Sequence, residues 1–234
     1  MPSSVSIKIR SIRRLLFKRF GRLEARPEKD AVGELVKTIL SQNTSDATSL
    51  RAFDNLKKDF RDWDSLRRSG VDSIKKRIKS AGLSNIKAPR IKGALNEIVR
   101  RRGALDLGFL GGLDTDSGYR FLRSIKGIGP KTAAIVLLFS FGKPIMPVDT
   151  HILRVMKRLG LISPKTTREK AQDFLTEKSP KHAIKEFHLH LILHGREICT
   201  ARAPKCPLCN LRLLCKYYGD RYGGISAKNR KKRV

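Results

Sequence analysis

The chain has 234 residues, 40% of them hydrophobic, and carries 51 Lys and Arg against 21 Asp and Glu, a formal net charge of +30. This length and apolar fraction allow one large core or two modest ones and exclude a disordered chain, and no apolar run approaches the roughly 20 residues a helix needs to cross a bilayer. The excess of positive charge repels itself in isolation and predicts a polyanionic partner, nucleic acid first and an anionic membrane surface second.

The segment MPSSVSIKIRSIRRLLFKRFGRL has no acid before Glu24. An Arg-rich transit leader is one way to read it. We expect instead a basic first helix that packs Ile12, Leu15, Leu16 and Phe20. It lacks the apolar centre of a secretory signal, so a reducing, intracellular location is expected, with thiols free or metal-bound.

Helical periodicity then continues almost without interruption. AVGELVKTILSQ puts Leu35, Val36, Ile39 and Leu40 on one face, and RAFDNLKKDF repeats the pattern with Phe53, Leu56 and Phe60. IKAPRIKGALNEIVRRRG runs to a glycine stop at Gly103, and DLGFLGGLDTDSG, residues 106–118, reads as a loop. Farther on, KTTREKAQDFLTEK opens with a capping box, Thr166-x-x-Glu169. KHAIKEFHLHLILHG places Ile184, Phe187 and Leu191 at helical spacing with a stop at Gly195. No alternating strand pattern and no repeat occurs, and the terminal SAKNRKKRV reads as a disordered basic tail.

Three stretches carry chemistry. In LRSIKGIGPKTAAIVLLFSFG a helix ends near Ile125, the tight turn Gly127-Ile128-Gly129 follows, and Pro130 occupies a first helical position before an apolar helix. This is helix-hairpin-helix grammar. Its glycines let backbone N–H groups approach a phosphate, and the positive end of the next helix adds attraction. Ile128 would plug the gap between the two helices. Lys131 stands directly after the turn. It is either one more phosphate-binding lysine or a nucleophile, whose neutral, reactive form is favoured by desolvation or a nearby positive field.

In GKPIMPVDTHILRVMKRLG two prolines precede Asp149, a natural N-cap for a helix from Thr150 to Leu159 that stops at Gly160. A carboxylate held at such a junction can also act as a general base or steady a developing cation. The third stretch, REICTARAPKCPLCNLRLLCKYY, contains every cysteine of the chain, Cys199, Cys206, Cys209 and Cys215, spaced C-x6-C-x2-C-x5-C. Zinc sites usually show two C-x2-4-C pairs and a longer insert. One compact loop of four thiols suits a [4Fe–4S] cube, with zinc or no metal as the alternatives.

Taken together, GIGPKTA, VDTHILRV and ILHGREICTARAPKCPLC…LC resemble the endonuclease III family of DNA glycosylases, within the helix-hairpin-helix glycosylase superfamily. The resemblance runs from about Glu34 to Tyr218. It implies that Lys131 is the Schiff-base nucleophile, that Asp149 is the catalytic carboxylate and that the four cysteines ligate a [4Fe–4S] cluster. The family's LSAQATD segment reads LSQNTSD here, so the glutamine that fills the hole left by a flipped base falls on Asn43, with Gln42 beside it. The family's GLYNSKA loop reads GLSNIKA, which makes Leu83 the wedge and replaces a tyrosine with Ser84. DNA contacts are further implied for Gly127, Ile128, Gly129, Thr132 and His151, and for Arg202 and Lys205 of the cysteine loop.

The implied fold is all-α and two-lobed. An N-terminal helix, residues 1–30, would pack with a helical cluster lobe at 144–222. Residues 31–143 would form a six-helix bundle ending in the hairpin, and 223–234 a basic tail. DNA would lie across the cleft between the lobes, with Lys131 and Asp149 at its mouth. The implied enzyme is a monomeric base-excision glycosylase and abasic-site lyase. It acts on double-stranded DNA containing damaged pyrimidines or abasic sites and sits wherever the DNA is: cytoplasm or nucleoid, or nucleus or mitochondrion. The alternatives are a sister glycosylase acting on T or U opposite G or on modified cytosine, and a DNA-binding module without catalysis.

Overall fold

The periodic apolar segments all become helices, and no strand occurs among the described residues, 4–23 and 29–223, of this computed structural model. The chain divides into two compact units: Arg26–Lys143, and Met1–Ala25 together with Pro144–Val234.

In the first unit, helix α2 (Ala31–Leu40) is wrapped on nearly every side, and only Lys37 escapes burial. Leu35, Val36, Ile39 and Leu40 are fully buried, each removing apolar surface from water for roughly 1.5–3 kcal/mol. Asp30 starts this helix by accepting the Gly33 amide at 2.7 Å, and its second oxygen accepts the Trp63 indole N–H at 2.7 Å. One carboxylate thus caps α2 and anchors the start of α4 (Trp63–Arg68). Around α2 lie α3 (Asp46–Asp59), α6 (Ser84–Arg102) and α8 (Pro130–Phe141); α4 and α5 (Val71–Arg77) pack on α6, and α7 (Thr115–Arg123) on α8.

That makes seven α-helices in 31–143 among the described residues, one more than the family resemblance implies. Neither short helix has a long apolar stripe: Asp62 and Ser65 form a reciprocal capping box that starts α4, while α5 follows Gly70 with no side-chain cap. The 106–118 segment is a loop only in part. Asp114 accepts the Ser117 amide at 2.8 Å and starts α7 inside it. Gly118 lies within that helix, where a Cβ would come 3.0 Å from Leu137 of α8.

In the second unit, α1 (Ser4–Phe20) buries Ile9, Ile12 and Leu16, with Leu15 and Phe20 half-buried, and packs on α10 (Arg168–Lys178) and α11 (Ile184–Glu197). The N-terminal segment is therefore an integral helix of this unit. Helix α9 (Thr150–Leu159) packs on α11, and Gly160, at φ 71°, ends it. Two local expectations shift. The cap of α10 is Thr167, accepting the Lys170 amide at 3.3 Å, rather than Thr166. Gly195 does not stop α11 but lies inside it, where a Cβ would sit 2.8 Å from that of His151. The glycine is there for helix contact, because a methyl group would push α9 away. The basic tail beyond Gly223 lies outside the described residues.

Candidate functional site

The hairpin forms as the residues require. Gly127 has φ 91°, and a Cβ on it would lie 2.6 Å from Arg90 Cγ, so both backbone conformation and close packing demand glycine. Ile128 is 3% exposed and plugs the turn, and its carbonyl accepts Arg123 Nη1 at 3.0 Å. Gly129 is the N-cap of α8, with open space where a side chain would be. Pro130 follows at the first helical position, then half-buried Lys131 and buried Thr132. The unobstructed face at Gly129 and the positive end of α8 suit an anion.

Gln42 and Asn43 have different surroundings, which the sequence alone did not separate. Gln42 Oε1 accepts Arg90 Nη1 at 2.5 Å, and its Nε2 donates to Thr132 Oγ1 at 3.2 Å. Arg90, Gln42 and Thr132 thus link α6, the end of α2 and the first turn of α8, beside Lys131. Asn43 is exposed instead, in the left-handed conformation at φ 52°. Leu83 is also left-handed, at φ 51°, and 50% exposed. An exposed leucine in a conformation that penalises a β-carbon by about 1–2 kcal/mol points to a role outside packing. Arg90 was not foreseen: nothing in its local pattern marks it, since its partners lie 37 and 48 positions away.

In the second unit, Asp149 is the N-cap of α9, with Oδ1 accepting the Ile152 amide at 2.8 Å. That leaves Oδ2 outside the cap. The preceding loop is pinned twice: Met146 N donates to Thr176 Oγ1 at 2.9 Å, and the Pro147 carbonyl accepts buried His188 Nδ1 at 3.0 Å. The carboxylate is 8% exposed on a held backbone. His151, two residues on, accepts Arg154 Nη2 on Nδ1 at 3.0 Å, so Nε2 carries its proton.

The cysteine loop is organised by α9. Arg154 donates to the carbonyls of Cys199 at 2.8 Å and Gly195 at 2.7 Å. One helical turn on, Arg158 donates to Thr200 O at 2.7 Å, Ala201 O at 3.0 Å and Cys199 Sγ at 3.4 Å. Two arginines at i, i+4 ahead of the cysteines are a signal that sequence reading passed over. Arg202 and Lys205 are exposed on the same loop.

No cysteine is in a disulfide. All four line one pocket, yet among the described residues no three Cys, His, Asp or Glu side chains converge on a single ion position. Burial pushes the thiols of Cys206, Cys209 and Cys215 up, Cys209 to about 11, so thiolates here need a cationic partner. His194, its own value pushed down to about 4 by burial and by Arg19, stays neutral with Nε2 3.7 Å from Cys209 Sγ. Four sulfurs around a shared space, with the Arg158 N–H aimed at Cys199 Sγ and His194 Nε2 beside Cys209 Sγ, fit a metal–sulfur group.

Known proteins match this arrangement. The profile of the HhH-GPD superfamily base excision DNA repair proteins matches residues 36–181. An endonuclease III of Sulfolobus acidocaldarius is 38% identical over 196 residues, covering 82% of this chain and 84% of the relative. A DNA glycosylase relative from Arabidopsis thaliana is 37% identical over 173 residues; it is longer, and the chain spans 59% of it. Among solved structures, an endonuclease III trapped as a covalent intermediate with DNA superposes with a TM-score of 0.80 at 26% identity, covering 94% of this chain and 99% of that one.

Proposed function

The chain belongs to the HhH-GPD superfamily of base excision DNA repair proteins and, within it, to the endonuclease III family of DNA glycosylases, and we propose that it excises oxidised or ring-saturated pyrimidines from double-stranded DNA and then cleaves the abasic strand. The observation that carries this is Lys131, half-buried in the first turn of α8 directly after the hairpin turn.

In the proposed mechanism the damaged nucleotide leaves the stack, and Leu83 and Asn43 fill the gap. Gly127, Ile128, Gly129 and Thr132 seat the backbone, with His151, Arg202 and Lys205 adding contacts. Gln42, already committed to Arg90 and Thr132, braces the hairpin instead of entering the duplex. Neutral Lys131 Nζ attacks C1′; the N-glycosidic bond breaks and the base departs with its electron pair. Asp149, through Oδ2, takes the amine proton and steadies the positive sugar. The sugar ring then opens as the C1′–O4′ bond breaks and O4′ takes a proton, and the resulting C1′ iminium acidifies the C2′ hydrogen. Its removal expels the 3′ phosphate, and water then releases the lysine.

Cys199, Cys206, Cys209 and Cys215 would hold a [4Fe–4S] cluster. Bound there, it would supply a cross-link to a loop too short to fold by burial alone. The excision steps need no electron. Purified protein is expected to be yellow-brown, absorbing near 400 nm, with about four iron atoms per chain. A colourless protein with a single zinc overturns the cluster assignment.

The protein would act as a monomer wherever DNA is found; no described helix is long and apolar enough to cross a membrane. The substrate assignment is tested with duplexes carrying one lesion each: a saturated thymine, a T or U opposite G, a modified cytosine, or an abasic site. Borohydride trapping and nicking are expected on the saturated thymine and the abasic site. Preference for mismatched T or U, or for modified cytosine, would install the sister activity instead. Tight binding without trapping on any of them would leave a binding module.

A further inference from the structure

Lys87 is 1% exposed, and among the described residues no carboxylate pairs with it. It lies near the start of α6, at the helix end whose dipole disfavours a cation. Burial also pulls its ammonium down from the ordinary lysine range. An apolar side chain of similar length would avoid these costs but would take a donor away from the oxygens around it. Packing alone therefore does not account for a lysine here.

The partners of the ammonium suggest what does. It donates to Leu40 O at 2.6 Å, Thr44 Oγ1 at 2.5 Å and Ala81 O at 2.9 Å. Thr44 Oγ1 in turn donates to Ala81 O at 2.6 Å, closing a ring of hydrogen bonds. The three oxygens belong to two separate loops. Leu40 and Thr44 bracket Asn43, and Ala81 lies just ahead of Leu83. Asn43 and Leu83 are two of only three non-glycine residues at positive φ among those described, and both are exposed. The one buried ammonium thus ties together the bases of both strained tips. Its three donors can serve two loops at once, which no thioether or alkyl chain can do.

Resting on the placement of Asn43 and Leu83 in the duplex, we propose that Lys87 is a positioning residue, whose ammonium holds the two loops in one register so that both tips enter DNA as a single preset wedge. It touches neither base nor sugar. Its contribution is preorganisation, an ordering cost met during folding rather than on the DNA.

The test uses the full chain with Lys87→Met and Leu83→Ala, alone and combined. Two substrates are compared. One is a duplex with a single saturated thymine, where base release needs the wedge. The other is a single-stranded abasic oligonucleotide, which Lys131 can cleave with no duplex to open. Lys87→Met is expected to slow single-turnover base release from the duplex by about tenfold or more, while single-strand cleavage stays within about threefold. The double variant should fall no more than about twofold below Leu83→Ala, because both changes remove one function. Equal losses on both substrates would mean a merely structural lysine and overturn the proposal. So would losses that add in the double variant, or unchanged duplex release in Lys87→Met when Leu83→Ala is impaired. If Leu83→Ala itself is unimpaired, the wedge placement is wrong and Lys87 loses its role with it. Should Lys87→Met fail to fold, Thr44→Val removes the shared hydroxyl and leaves two carbonyl partners. It should show the same split between substrates at about threefold, and no split overturns the proposal.

Discussion

Lys131→Gln is expected to abolish borohydride trapping and strand nicking, a loss of at least about 10³-fold, with affinity for abasic duplex within about threefold of the original. Glutamine keeps much of the length and polarity of the side chain, so the first turn of α8 should stay intact: Pro130 and the Gly129 cap set it. What disappears is the one group in that turn able to form an imine. Affinity should survive because the proposed hairpin contact with DNA is made by backbone N–H groups and the helix dipole rather than by this amine. A lysine that only contacted phosphate would give the opposite pattern, weaker binding with near-normal chemistry. Nicking at the original rate would remove Lys131 from the nucleophile role.

Asp149→Asn is expected to slow base release by about 10²-fold or more in single turnover, on the scale of a lost general base. The fold should hold, since asparagine caps helices about as well as aspartate and its Oδ1 can accept the same Ile152 amide. Thermal unfolding therefore serves as the control. If Asp149 were only a cap, both melting and kinetics would match the unaltered protein. Asp149→Ala removes cap and carboxylate together, so it should add about 1 kcal/mol of destabilisation to the kinetic loss. The difference between the two variants separates the structural job from the chemical one.

Several features of this protein were legible in its amino-acid order because the physics behind them is local. Pro130 at a first helical position, the Asp149 cap, and the glycine stops at Gly103 and Gly160 each depend on backbone conformation within one turn of chain. Four cysteines within one short segment are kept near one another by chain connectivity alone, although Arg154 and Arg158 of α9 hold the loop they sit on. The family motifs added the expected chemistry of Lys131 and Asp149, which spacing by itself left open between structural and reactive roles.

Other features were decided only when distant segments met. Short α4 and the shifted start of α10 follow from capping choices among several candidate Ser, Thr and Asp residues. Gly195 reads as a helix stop, but the approach of His151 turns it into a contact point inside α11. Gln42 and Asn43 are neighbours of similar chemistry. Tertiary structure gives one to Arg90 and Thr132 and leaves the other exposed in a left-handed turn. Lys87 looks like any surface lysine among many, and its burial depends on carbonyls 47 and 6 positions away along the chain. The amino-acid sequence determined the helices, the hairpin and the grouping of the cysteines, because caps, turns and ligand spacing act within a few residues. Only the tertiary structure decided which polar side chains are buried and bonded and which are left exposed, because that depends on oxygen and nitrogen atoms brought together from remote parts of the chain.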